Sequence, residues 1–200
     1  QATASTDAAG QANATIQGGN PAPNEPSLGG PGHGYITVQT VGAGGLSIQK
    51  KIPFLFSGTT RIVTPSATVL IPDSGSVTFQ YRVQDINGNP LVAGSSVTLG
   101  VDGPGSGQLE LSGDINKTLL DTGDPTTTMM TVTVRDKVLR GPAGQVTFRL
   151  AVSSPNGNAG ASFGGIVLSD TNAVPVASKS GYTSNLTLAS ITSPQVSVRG

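Results

Sequence analysis

An all-β fold, a β-sandwich preceded by an extended N-terminal arm, is what this sequence predicts, and three observations predict it. Apolar residues recur with period two in one segment after another, turn residues separate those segments at short intervals, and no stretch carries a convincing apolar stripe of period 3.6. Composition agrees: the chain has 28 Gly and 14 Pro, and Ser and Thr fill the polar positions that Lys and Glu would take on helices. A chain of 200 residues and 20.0 kDa can hide about 70% of its unfolded surface in one domain with at most a small appendage.

The first 34 residues contain no aromatic residue and only Ile16 and Leu28 as large apolar side chains. Such a segment buries too little to offset its own ordering entropy, so by itself it reads as a disordered tail or linker. It nevertheless has a pattern. Ala2 and Ala4 alternate with Thr3 and Ser5, and Ala12, Ala14 and Ile16 alternate with Asn13, Thr15 and Gln17. In an extended conformation these residues give one side a small apolar face, which makes residues 2–17 a candidate donor strand for a groove on another sheet. The Gly/Pro-rich stretch from Gly18 to Gly34 is then a spacer, able to span up to about 60 Å. The expected organisation is an arm and linker over 1–34 and a β-sandwich domain over 35–200.

From Tyr35 onward the strands follow. Val77, Phe79, Tyr81 and Val83 alternate with Thr78, Gln80 and Arg82; Met130, Val132 and Val134 alternate with Thr131 and Thr133; Val146, Phe148, Leu150 and Val152 alternate with Thr147, Arg149 and Ala151. Shorter runs predict strands at 35–41, 46–50, 53–57, 60–64, 67–71, 96–101, 108–112, 165–169, 173–177, 184–190 and 195–199. Between them stand Ser74-Gly75, Asn87-Gly88, Gly103-Pro104-Gly105, Thr122-Gly123-Asp124-Pro125, Gly141-Pro142 and Pro155-Asn156-Gly157, all turn formers. Uneven strand lengths and spacings favour a sandwich over a barrel.

Charge and chemistry narrow the function. Eleven Lys and Arg balance eleven Asp and Glu, so nothing draws the chain to nucleic acid or to an acidic membrane. No apolar run approaches the roughly 18 residues of a membrane-spanning helix. The absence of Cys excludes disulfides and thiolate chemistry. The first residue is Gln rather than Met, as in a chain whose signal peptide has been removed, and with the Thr/Ser/Gly-rich composition this predicts an extracellular or cell-surface location. An enzyme is not expected: the single histidine, His33, lies in a Gly/Pro-rich linker, the two Glu are Glu25 and Glu110, and most Asp residues sit at turns.

The stretch from Asp85 to Asn89 has the D-x-N-x-N spacing that opens a calcium loop, but the position that should carry a bidentate Glu is Ser96, and strands rather than helices flank it. Asn87-Gly88 is therefore expected to form a hairpin turn, with Asp85 accepting backbone N–H groups two or three residues on. No cofactor is called for; the weak candidate for calcium is the loop group Asp114, Asp121 and Asp124, with a solvated loop preferred. Sequons at Asn13, Asn116 and Asn185 are candidate glycosylation sites that also arise readily by chance in a chain rich in Asn, Ser and Thr. For sugar stacking the chain offers no Trp, only Tyr35, Tyr81 and Tyr182.

Residues 66–157 carry a resemblance. Asp85, Asn87, Gly88, Pro90, Gly94 and Val97, followed by Asp121-Thr122-Gly123, resemble the bacterial Ig-like modules of invasin- and intimin-type surface proteins. The resemblance implies a spacer, an adhesive tip or a structural repeat rather than a catalyst; the flanks 35–65 and 158–200 exceed a single module. The expected function is a non-catalytic subunit of an extracellular filament that polymerises with copies of itself through the arm, in the manner of donor-strand addition in pili. The alternative is an Ig-like adhesive or carbohydrate-binding module of a larger surface protein, with a host surface or glycan as partner. A jelly-roll capsid or tail protein would also present swapped arms.

Overall fold

Few residues before Gly58 are buried, and the structure they form is correspondingly thin. The computed structural model describes residues 3–19 and 22–169, and the chain divides into two compact units, one ending at Gly58 and the other beginning at Thr59. In the first unit, β1 (Asn24–Glu25) and β2 (Gly30–Pro31) pair around a short 3-10 turn at Pro26–Leu28, where Glu25 accepts the Ser27 N–H at 3.2 Å. β3 (His33–Val41) and β4 (Ser47–Leu55) pair antiparallel along their whole length, from His33 opposite Leu55 to Val41 opposite Ser47. The runs expected at 46–50 and 53–57 thus fuse into one strand through Pro53. A two-stranded ribbon tolerates this proline because each strand has an edge without a partner, where a missing N–H costs nothing.

Among the described residues the second unit is a sandwich of nine strands: β5 (Thr60–Val63), β6 (Val69–Ile71), β7 (Ser76–Asp85), β8 (Ser96–Asp102), β9 (Leu109–Gly113), β10 (Asn116–Thr118), β11 (Met129–Asp136), β12 (Gly144–Ser153) and β13 (Ala159–Val167). One sheet has the order β5-β7-β11-β9, the other β10-β8-β12-β13-β6, and every pairing is antiparallel except β13 with β6. This is the Greek-key arrangement of an Ig-like sandwich: four strands in the places of A, B, E and D face a sheet built on C, F and G. The first strand is split, β5 joining one sheet and β6 the other, and Pro65 lies in the crossing between them. Residues 35–57, expected to belong to the sandwich, build the separate ribbon instead, and the sandwich sheets start at Thr60.

The period-two residues fill the space between the sheets. Phe79, Tyr81, Val83, Met130, Val132 and Val134 come from one sheet and Val97, Leu99, Val146, Phe148, Leu150 and Val152 from the other; all are buried. At the centre Phe148, fully buried, stacks on Phe163 with ring centroids 4.9 Å apart, and Phe79 meets both rings edge-on at 5.3 Å. The Phe148 ring can lean over β13 because that strand is glycine-rich: a Cβ at Gly165 would sit 2.8 Å from the side chains of Phe148 and Val146. The same glycines hid the alternation, so a strand beginning at Ala159 was expected only from 165. β10 was not expected at all, being three residues long. The runs at 173–177, 184–190 and 195–199 lie outside the described residues.

Two measurements test this core. Phe148→Ala should cost about 3–5 kcal/mol of unfolding free energy, read from the urea midpoint at constant m-value. Tyr81 donates its hydroxyl to the Asp114 carbonyl at 2.6 Å, and burial, then the Asp114 charge, push its pKa up to about 12. Because the folded pKa lies above the unfolded value, this contribution is complete below about pH 10 and is lost as the pH rises through about 12. Tyr81→Phe should therefore be less stable than the parent near neutrality, by about 1 kcal/mol, with the difference shrinking toward pH 12.

Candidate functional site

Asp85 ends β7 fully buried, and its Oδ1 accepts the N–H groups of Asn87 and Asn89, each at 2.8 Å, while Oδ2 accepts the Asn89 amide at 3.3 Å. Gly88, at φ 91°, closes the turn by donating to the Asp85 carbonyl. The carboxylate is thus a turn organiser, as its spacing predicts, but the loop is not a hairpin. β7 and β8 lie in different sheets, because Pro90–Ser95 carries the chain across the sandwich before β8 begins. Asp85→Ala strands buried N–H groups at roughly 1–3 kcal/mol each; the expected loss of about 2–3 kcal/mol should be the same in calcium and in EDTA.

The three loop acids are each placed differently. Asp114 accepts the Thr131 N–H at 2.9 Å and the Lys117 ammonium at 3.0 Å; burial pushes its pKa up, but these bonds outweigh it and the net shift is downward. Asp124 caps the 3-10 turn Pro125–Thr128 through the Thr126 N–H at 2.9 Å, a bond that lowers its pKa. Asp121 is exposed. Among the described residues no group of three or more His, Asp or Glu side chains is arranged to hold a metal ion, and none of their helices is long and apolar enough to cross a membrane. Asn13 and Asn116 are exposed, Asn116 on the edge strand β10; Asn185 lies outside the described residues.

What the structure offers instead is surface. Residues 3–19 belong to no strand and are exposed throughout, so Ala4, Ala12, Ala14 and Ile16 are uncovered; Ala2 lies outside the described residues. Within the arm Asp7 organises a turn by accepting the N–H groups of Ala9 and Gln11, both at 2.9 Å. Gly18 lies against the Phe56 ring, and Phe56 meets Phe54 edge-on at 4.9 Å.

The β3–β4 ribbon is amphipathic, a property the separate strand expectations missed. Residues opposite each other in the register share a face. Ile36 faces Ile52, Val38 faces Lys50 and Thr40 faces Ile48 on one side; on the other, Thr37 faces Lys51 and Gln39 faces Gln49 in the middle, with Tyr35 facing Pro53 and Val41 facing Ser47 at the ends. Val38, Ile48 and Ile52 are 49%, 56% and 40% exposed, so the apolar side is uncovered. On the polar side Gln39 donates to the Ser47 hydroxyl at 2.9 Å, and the Lys51 ammonium stands 5.8 Å from the centre of the Tyr35 ring.

In the sandwich unit a cleft of about 300 Å³ opens between β7 and the segment that follows β10. Val83, Leu91, Leu119 and the exposed Leu120 line it, with Thr118 and Thr128 on its wall and Lys117 beside them. These residues are scattered in sequence, which is why no motif announced the cleft.

Fold and surfaces together define an Ig-like β-sandwich joined to an uncovered β-ribbon and an unpaired arm. No protein-family model matches the chain, and no curated protein matches it. Among solved structures it is similar to domains 4 and 5 of the S-layer protein SbsC at 17% identity, covering 61% of this chain and 63% of that one with a TM-score of 0.32. For domains 4–9 of SbsC the figures are 14%, 83%, 24% and 0.33. The sialic-acid-binding region of a Streptococcus sanguinis SK1 adhesin is 12% identical, covering 66% of this chain and 37% of that one with a TM-score of 0.33. The chain spans less than two thirds of each of these structures, and likenesses this slight carry no argument about activity.

Proposed function

We propose that this chain is a non-catalytic structural subunit of an extracellular or cell-surface assembly, and that copies join head-to-tail when the N-terminal arm of one adds a strand to a sheet of the next. The observation that carries the reading is the arm itself: residues 3–19 are exposed, belong to no sheet of their own protomer, and alternate small apolar with polar side chains. Strand addition supplies backbone hydrogen bonds along the arm and places its alternate side chains against one face of the accepting sheet. A contact of this kind does not close on itself and so propagates as a filament. The low charge content, the Ser/Thr/Gly-rich composition and the use of carboxylates to organise loops support a structural rather than a catalytic role.

A second reading, an adhesive module of a larger surface protein, is favoured by the cleft beside β10. Its lining suits an aliphatic group better than a sugar ring, because no aromatic side chain lines it. Deletion of residues 1 to 17 should leave a sandwich with an unchanged unfolding midpoint and convert polymers to monomers in sedimentation velocity. Polymers that survive the deletion overturn strand addition, and a parent chain that stays monomeric at every concentration favours the adhesive reading.

A further inference from the structure

The strand-addition reading leaves open where the arm goes, and the two units differ sharply as acceptors. The edge strands of the sandwich are short: β10 and β6 have three residues each, β5 four and β9 five. Among the described residues no strand pairs with the outer side of β4, a nine-residue edge roughly 30 Å long, whereas the start of β3 packs against Pro23 at Gly34. An isolated two-stranded hairpin is marginal in water, and a third strand beside an apolar face is what makes such a sheet stable.

We propose that the outer edge of β4 in the β3–β4 ribbon is the docking site for residues 11–17 of a second copy's arm, an inference that rests on the strand-addition reading and names its acceptor. The patterns match on both faces. A strand added along β4 would set Ala12, Ala14 and Ile16 beside Ile48, Lys50 and Ile52, with Ile36 and Val38 one strand further on the same face, and Asn13, Thr15 and Gln17 beside Gln49 and Lys51. The charges match as well. Lys50 and Lys51 are the Lys side chains of the ribbon, which has no Arg, and no acid lies between His33 and Leu55. Asp7 is the only charged side chain before Glu25, so arm and ribbon attract each other within a screening length. Each arm begins where Gly18 meets Phe56 at the foot of its own ribbon and leads away unpaired, which sets it free to reach a neighbour.

Sedimentation velocity of the full chain over a concentration series, with three double variants, tests the proposal. Ala14→Lys with Ile16→Lys disrupts the arm; Val38→Lys with Ile48→Lys disrupts the ribbon's apolar face; Gln39→Lys with Gln49→Lys adds the same charge to its polar face. The first two should each weaken association about tenfold or more, the sum of a few cross-strand contacts, and the third clearly less, with the sandwich unfolding midpoint unchanged in all. Amide exchange of residues 47–55 should slow as concentration rises. If the arm variant falls apart while the ribbon variant assembles like the parent, the ribbon is not the acceptor and strand addition itself survives. If neither variant alters assembly, both fall together. If the two ribbon variants weaken association equally, charge rather than the apolar face is responsible and the inference is overturned. If slow exchange in 47–55 is independent of concentration, the arm docks on its own ribbon, which overturns it too.

Discussion

The contact on which the sandwich depends is the ring cluster of Phe79, Phe148 and Phe163, which ties the two sheets together at their centre. The chain has five Phe, three Tyr and no Trp, so aromatic bulk is scarce. Three of the five Phe residues meet here, and the other two, Phe54 and Phe56, meet at the foot of the ribbon. Around the cluster the core is made chiefly of Val, Leu, Ile and Met, whose smaller side chains fill the gap only if the sheets approach closely. Gly165, on the strand beside β12 in the same sheet, leaves room for the Phe148 ring, which makes a residue with no side chain part of the packing.

The polar economy of the molecule follows from the same scarcity. Asp73, Asp85 and Asp136 are all buried, and each holds a loop by accepting a backbone N–H: Arg140 at 2.7 Å, Asn87 and Asn89 at 2.8 Å, and Val138 at 2.9 Å, respectively. A carboxylate that satisfies several backbone donors fixes a loop without metal or disulfide.

How far the sequence could be read depended on where the side chains point. Val77 to Val83 and Val146 to Val152 were legible because a strand with one buried face must alternate. β13 was half legible, since Gly160, Gly164 and Gly165 erase the alternation where packing is tightest. Sheet membership was not legible: the Asp85–Asn89 turn suggested a hairpin, and only the crossing at Pro90–Ser95 separates β7 from β8. The ribbon's strands were visible singly, but that they pair with each other and with no sandwich strand is a matter of register rather than composition. The cleft was invisible because Val83, Leu91, Leu119 and Thr128 come together only through the fold.

The two units treat their edges in opposite ways, and this contrast bears most directly on function. Unpaired strand edges invite association, and proteins that remain monomeric shorten, charge or cover them. The sandwich does so: its edge strands have three to five residues, and β10 carries Lys117. Among the described residues β4 leaves a nine-residue edge beside a face whose Val38, Ile48 and Ile52 are 40–56% exposed. Lys50 and Lys51 oppose the stacking of one ribbon on another by like-charge repulsion. Under the proposed strand addition the same two side chains would attract a segment that carries Asp7, and selectivity of that kind would let copies add in one direction rather than aggregate.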